Sequence, residues 1–527
     1  MAVPPVPPSL SPLTPIQFLD RAAFHFADRT AYVDESVRYS YRELSARCER
    51  LAGGLRSLGV EPGDRVSVLA PNTNLALESH FGVPLSGAAL NMLNTRLAFS
   101  ELDAIVGHAE PRVLLVDADH AETGAHLGRS HPELRVIVAG GAADGYEHLI
   151  GDADPYRHPL DDELALLALN YTSGTTGTPK GVMYAHRGAF LQAVAMVAAM
   201  RLEPSSVHLW TLPMFHCNGW CFPWAVTAAG AAHVGMRKVE PGTIWAAVRE
   251  HGVTHFNAAP TVLNDFAFAA SAADGPAPRT VRVGTGGAPP SPTLLERLEP
   301  LNVDVTHLYG LTECYGPAVV CTWQHEWDTE PAAVRANLQA RQGVANVCTA
   351  GVRILTDAGE FAPADGVTTG EIVIRGNNVM SGYYRDPEAT RAAFVDGWLR
   401  TGDIGVLQPD GYLEIRDRVK DIIISGGENI SSIEVEHALA SHPAVQECAV
   451  VAAPDPRWGE VPVAFVTLRP GETVAAADLI EHVKGRVARF KAPKRVVFAD
   501  LPKTATGKIQ KFMLRETFDR SSPDPGF

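Results

Sequence analysis

The sequence predicts an α/β protein, with helices layered on sheets in a large N-terminal part and a smaller α+β unit at the C-terminal end. Three observations predict it. Strand-like runs such as VRVG (281–284), EIVIRG (371–376) and DIIISG (421–426) alternate with alanine-rich helical stretches such as RGAFLQAVAMVAAM (187–200). At 527 residues the chain is longer than one hydrophobic core usually supports, so more than one domain is expected. After about Asp417 the texture changes to short elements: DIIISGG, helix-like SSIEVEHALA, alternating AVQECAVVAAP and VPVAFVTLRP, helix-like VAAADLIEHVKGRVARF, then KRVVFADLP. About a hundred residues of this kind make a small α+β domain of usual size. The charged run DRVKD (417–421) reads as the seam, giving domains over residues 1–419 and 420–527. The tail SSPDPGF has no periodicity and reads as disordered.

Composition narrows the function classes. With 46% hydrophobic and 20% charged residues the chain falls among ordinary soluble globular proteins. A formal charge of −15 opposes general attraction to nucleic acid or anionic lipid, so an anionic ligand would need a local positive pocket. The seven cysteines, at 48, 217, 221, 314, 321, 348 and 448, are odd in number and scattered, which suits a reducing cytoplasm. The start, MAVPPVPPSLSPLTP, has no basic and apolar signal regions and reads as an extended arm. The apolar run 190–200 is shorter than the ~20 residues a membrane span needs, and the final PGF is no targeting tripeptide. These features predict a cytoplasmic protein with no nucleic-acid or membrane partner; a homodimer stays open.

The chemistry concentrates in YTSGTTGTPKG (171–181). It follows LALLALN (164–170), an apolar run suited to a buried strand, so the loop leaves the end of a sheet where α/β proteins bind ligands. Gly174 and Gly177 allow a tight backbone turn that presents N–H groups. Thr172, Ser173, Thr175 and Thr176 add hydroxyls, and Lys180 adds charge. Together they describe a phosphate cradle. A Walker loop is excluded, because it needs Gly directly before the Lys and Ser or Thr after it, whereas Pro179 and Gly181 flank Lys180.

Other constellations fail. Cys217 and Cys221 have no second Cys/His pair at zinc-finger spacing and read as free core thiols. His251 and His255 stand four apart, but Gly252, Val253 and Thr254 between them favour a turn into a strand over a metal-binding helix. No G-x-S-x-G elbow is present.

Six segments extend the reading: YTSGTTGTPKG, GTGGAP (284–289), YGLTE (309–313), WLRTGDIG (398–405), GYLEIRDRVKDIIISGGENISSIEVE (411–436) and PKTATGKIQK (502–511). In these segments and their order the chain resembles the adenylate-forming superfamily of acyl-CoA synthetases, adenylation domains and luciferases. MFHCNGWCFPW (214–224), with GMRK soon after, is similar to the subgroup acting on short- to medium-chain or substituted carboxylic acids. The resemblance implies layered α/β sheets plus a distorted β-barrel in the N-terminal domain, and a mobile α+β C-terminal domain. It implies ATP, Mg²⁺ and coenzyme A as the small molecules used with a carboxylic acid.

The implied chemistry is carboxylate activation. A carboxylate is a poor electrophile, and joining it to the α-phosphate of ATP supplies a leaving group, provided cations neutralise the two anions. By resemblance Glu313, with Thr175, holds Mg²⁺, and Lys508 contacts the reacting oxygens. Gly286, Gly287, Ala288, Tyr309, Gly310 and Thr312 meet the nucleotide, Tyr309 offering a stacking face. Asp403 and Arg418 grip the ribose. Lys420 is the hinge about which the C-terminal domain swings, replacing Lys508 by Gly426 and Gly427 in a pantetheine channel. His216 gates between acyl pocket and thiol channel, while Cys217, Trp220, Thr285 and Pro317 surround the acyl group. Phe490 and Lys494 meet the nucleotide end of CoA. His307 stands where many relatives carry an amide, which puts one local hydrogen bond in doubt. The predicted activity is an ATP-dependent acid–CoA ligase of short- or medium-chain, aryl or aryl-alkenoic acids, with a link to fatty acid metabolism. The alternatives are another acceptor (a carrier protein, an amine or nitrite) and a non-catalytic adenylate-binding regulator.

Overall fold

The computed structural model describes residues 9–140, 145–172, 179–418, 420–426, 428–503 and 509–519. The predicted tail therefore lies outside the described residues.

Two mixed sheets form the first part. A nine-stranded sheet runs in the order Val344–Ala345, Gly316–Val320, Val303–Leu311, Val281–Thr285, His255–Ala258, Val207–Leu209, Ala232–Val234, Thr30–Val33, Arg38–Ser40. A seven-stranded sheet runs Gly382–Tyr383, Lys180–Ala185, Leu166–Thr172, Ala89–Met92, Arg65–Leu69, Val113–Asp117, Arg135–Ala139. The middle strands of both are parallel and covered on both faces, which is why a run such as VLLVD is buried at every position. Between them lies helix Asn74–Leu85, buried from Leu75 to Leu85. Apolar residues dominate its circumference, and the polar ones in its middle are buried with partners: Glu78 pairs with Arg47 at 2.8 Å and the Ser79 hydroxyl donates to Leu75 O. The alanine-rich stretch predicted as helical forms helix His186–Ala199.

The expected distorted barrel is an open half-barrel. Strands Gly351–Leu355, Gly370–Arg375, Trp398–Leu407 and Phe394–Val395 pair in that order, all antiparallel, and Leu413–Arg418 also pairs with Trp398–Leu407.

The last hundred residues build a five-stranded sheet from Ile423–Ser425, Glu428–Ile430, Val445–Asp455, Gly459–Leu468 and Arg495–Phe498. Alternation along its long strands loads both faces. Val450, Ala464 and Val466 join one core with residues of helices Ser432–Ala440 and Ala476–Lys484; Ala449, Val451 and Val463 join another with Leu514 of helix Lys511–Asp519. The helix expected across VAAADLIEHVKGRVARF stops at Lys484, because Gly485 is a poor helix former and the chain resumes only as a short 3₁₀ turn at Arg489–Lys491. His255 sits in a strand after Gly252 at φ +62°, the predicted turn into a strand.

Candidate active site

The strands on either side of the phosphate-type segment pair antiparallel. Strand Leu166–Thr172 pairs with Lys180–Ala185, setting Thr172 opposite Lys180 and Tyr171 opposite Gly181. Ser173, Gly174, Thr175, Thr176 and Gly177 lie outside the described residues. The base of the loop is fixed from both sides. Tyr171 meets His108 Nδ1 at 2.8 Å through its hydroxyl, and Gly181 leaves room for that ring, since a Cβ there would stand 3.1 Å from Tyr171 Cζ.

From this base a polar chain reaches YGLTE. Lys180 Nζ lies 4.9 Å from the centroid of the Tyr383 ring, and the Tyr383 hydroxyl donates to Glu313 Oε1 at 2.9 Å. Burial first, then the charge of Glu313, raises the Tyr383 pKa, so the phenol stays a donor. Lys180 and Glu313, separate in the sequence, are thus bridged by one ring.

The nucleotide-side candidates gather next to them. Strand Val281–Thr285 delivers Gly286 and Gly287; a Cβ on Gly286 would fall 2.5 Å from Leu308 O, and Gly287 adopts φ +84°. Ala288 follows directly in the same loop. Gly310 has an internal reason to be glycine, since a Cβ there would meet Gly316 O at 2.0 Å. Tyr309 is buried, and its hydroxyl donates to Asp403 Oδ2 at 2.7 Å. Arg418 Nε lies 3.2 Å from Asp403 Oδ1, the two residues being cross-strand partners. Each Asp403 oxygen keeps a second lone pair after these contacts. His307 Nδ1 stands 2.9 Å from the carbonyls of Ala340 and Arg341, so its hydrogen bond is made to backbone.

The acyl-side candidates sit behind. His216 is partly exposed, and its ring centroid is 6.5 Å from that of Trp220. Cys217 Sγ lies 3.4 Å from Thr312 Oγ1; burial pushes the thiol up to about 12, so it stays protonated. Thr285 is fully buried, and Pro317 O accepts from Gln192 Nε2 and Asn346 Nδ2, each at 2.7 Å. Trp220 fits against two missing side chains, since a Cβ on Gly286 or Gly316 would each approach it to 3.1 Å. Tyr184 and Tyr315 stack with centroids 3.6 Å apart, and the Tyr184 hydroxyl donates to Thr312 O at 2.6 Å.

Comparison with known families decides the affiliation. The AMP-binding enzyme family matches residues 19–384, and the AMP-binding enzyme C-terminal domain matches residues 434–508. The chain belongs to the AMP-binding enzyme family. Over 95% of its length it is 43% identical to the acetate–CoA ligase CCL3 of Humulus lupulus, covering 94% of that protein. The peroxisomal benzoate–CoA ligase of Arabidopsis thaliana is 42% identical, with 96% of this chain and 93% of that one covered. Among solved structures, ATP-bound MatB from Rhodopseudomonas palustris superposes with a TM-score of 0.84 at 26% identity, over 96% of this chain and 99% of that one.

In this AMP-binding enzyme the remaining candidates lie toward the C-terminal sheet. Lys420 is exposed in a turn after the half-barrel, and its pKa is lowered by partial burial and then by the charge of Arg418. Gly426 needs to be glycine twice over: φ is +60°, and a Cβ would stand 2.7 Å from the Trp458 ring. Phe490 is half-exposed, and exposed Lys494 bonds through its amide to Pro462 O at 2.8 Å. Gly427 and Lys508 lie outside the described residues, although Lys503 and Ile509 pair across the segment that carries Lys508. Sequence reasoning missed Tyr383, Tyr184, Tyr315 and Asn170. None stands in a recognisable pattern of its own; only nearness in sequence to PKG, YGLTE and LALLALN could have flagged the last three.

Proposed function

We propose that this AMP-binding enzyme is an ATP-dependent carboxylic acid–CoA ligase, converting acid, ATP and CoA to acyl-CoA, AMP and pyrophosphate through an acyl-adenylate. The observation that carries it is the Lys180–Tyr383–Glu313 chain, which joins the phosphate loop to the acidic residue of YGLTE beside the Asp403–Arg418 pair. The match of nearly the whole chain to CoA ligases supports CoA as acceptor. The relatives' acids, acetate and benzoate among them, fit a short- or medium-chain or aryl substrate.

Magnesium fits the donor set. Among the described residues no three acidic, Cys or His side chains cluster as a metal cage, and Glu313 is a single carboxylate beside the phosphate loop. Mg²⁺ commonly takes one or two carboxylates plus phosphate oxygens. Glu313, with Thr175, would hold it, and it would supply charge neutralisation at the phosphates. Asp403 with Arg418 orients the ribose. Lys508 neutralises the carboxylate as it meets the α-phosphate. The chain divides at 419/420, and rotation about Lys420 replaces Lys508 by Gly426 and Gly427 for thiol attack. His216 separates acyl pocket and thiol entry, and Phe490 and Lys494 receive the nucleotide end of CoA.

The scattered cysteines keep the cytoplasm as the proposed compartment, while relatives named peroxisomal, the Arabidopsis benzoate–CoA ligase among them, make the peroxisome its rival; no helix among the described residues is long and apolar enough to cross a membrane. A fluorescent fusion would place the protein.

The decisive experiment screens carboxylic acids with ATP, Mg²⁺ and CoA by mass spectrometry. Acyl-CoA should appear for at least one short-chain or aryl acid; pyrophosphate release without acyl-CoA would transfer the reading to another acceptor. Lys508→Ala should abolish adenylation yet spare thioester formation from presynthesised acyl-adenylate. Lys420→Pro should harm thioester formation more than adenylation.

A further inference from the structure

Between the acyl-side and phosphate-side candidates the backbone does something rare. Cys217, Asn218, Gly219, Trp220 and Cys221 all have positive φ, at 43°, 42°, 56°, 55° and 66°. L-residues avoid this region, and four of the five are not glycine. Such a left-handed turn persists only where its surroundings over-determine it. Cys221 Sγ donates to Tyr315 O at 3.7 Å, and Gly219 has no room for a Cβ, which would stand 2.9 Å from the Trp210 ring. Cys217 faces Thr312, as described above.

The turn reaches the strand that feeds the phosphate loop through Asn218. Asn218 and Asn170 are both buried, and Asn170 Nδ2 donates to Asn218 Oδ1 in either orientation of the Asn170 amide; one orientation adds Phe215 O at 2.9 Å. Asn170 lies two residues before Thr172 and opposite Val182, inside the base of the hairpin. Apolar packing can slide, whereas a buried amide pair fixes direction and distance.

We infer that Asn218 is a positioning residue, whose amide, held by Asn170, registers the acid-binding turn against the strand that carries the phosphate loop. The inference rests on the ligase reading. Joining the carboxylate to the α-phosphate requires the reacting atoms to meet within ~3–3.5 Å, and an error of ~1 Å costs about a hundredfold in rate. A turn free to shift against the strand would still bind acid and ATP, but would present them in poor register.

Asparagine also tolerates left-handed backbone better than most residues, so the test separates conformation from hydrogen bonding. Asn218→Gly keeps the positive φ and removes the amide; Asn170→Ala removes the partner and leaves the turn intact. Pyrophosphate exchange and thermal melting are measured on the full chain. Both variants should lose at least about tenfold in kcat for adenylation, with the KM for ATP within about twofold of the parent. The Asn170→Ala/Asn218→Gly double variant should be no worse than the poorer single one, the signature of a coupled pair. Wild-type kcat in either single variant, additive losses in the double variant, or a fall in Tm of more than about ten degrees in both singles would overturn the inference. An unaltered protein that makes no acyl-CoA sinks the ligase reading instead, a separate outcome.

Discussion

At the residue scale, the side chain that organises the site is Tyr383, which touches both Lys180 and Glu313 and appears in no motif. A hydrogen bond to a charged group is worth about 1.5–3 kcal/mol. Tyr383→Phe should therefore lower kcat/KM for ATP at least about tenfold and raise the Mg²⁺ concentration for half-maximal rate, read from initial rates across a magnesium titration. The buried histidines make a second prediction. Burial lowers the pKa of His80, His186, His255 and His307 to about 4 and of His233 to about 3, each remaining neutral inside. An unfolded histidine titrates near 6.5, so between about pH 6.5 and 4 the unfolded chain binds more protons than the folded one. Stability is therefore complete above pH 6.5 and is lost as pH falls toward 4, by ~2 kcal/mol per such histidine at pH 5. The melting temperature should fall steadily from pH 7 to 4.5, and a flat profile would contradict the neutral assignment.

At the scale of elements, periodicity located most strands and helices and missed features made by long-range closure. The strand within LALLALN is apolar because helices pack on the faces of its sheet, and the helix after PKG follows from a run of good helix formers. The half-barrel was legible only through resemblance, since alternation in GVRIL or GEIVIR indicates a half-buried strand without indicating its partners. The left-handed turn at Cys217–Cys221 was illegible because its contacts lie with Asn170, Thr312 and Tyr315, all distant in sequence, as well as with nearby Trp210. The pairing of Ile423–Ser425 with Glu428–Ile430 emerged only in the structure, the sequence having offered DIIISGG as a short element, and it supports a prediction of its own. Gly426→Ala would place a Cβ against the Trp458 ring in a strained backbone. Thioester formation from presynthesised acyl-adenylate should fall at least about tenfold while pyrophosphate exchange stays within about twofold; equal losses would remove this hairpin from the thiol step.

For the whole molecule, the sequence located the change of texture near Asp417 but not the contacts made across it. Asp417, in the last half-barrel strand, accepts from the backbone amide of Ser432 at 2.6 Å, so the strand before the seam anchors the helix after it. Farther out, Phe268 at the end of helix Pro260–Phe268 lies between two guanidinium groups: Arg297, 3.8 Å from its centroid, and Arg469 of the C-terminal part, 4.6 Å from it. Asp265 on the same helix lies in the field of Glu447 and Lys503, its pKa raised by burial and then by Glu447. On the proposed swing about Lys420, these contacts belong to one of the two arrangements and would break in the other. A half-exposed cation–π contact contributes about 0.5–1 kcal/mol, enough to shift a two-state population about two- to fivefold. Arg469→Gln removes that attraction and leaves the Phe268–Arg297 pair in place. The half-reaction that uses this arrangement should slow by up to about fivefold and the other should hold or quicken, so the ratio of adenylation to thioester formation moves while Tm changes little. If both half-reactions moved together and equally, Phe268 and Arg469 would be a surface contact without influence on the swing, and the control of orientation would have to reside in the turn around Lys420.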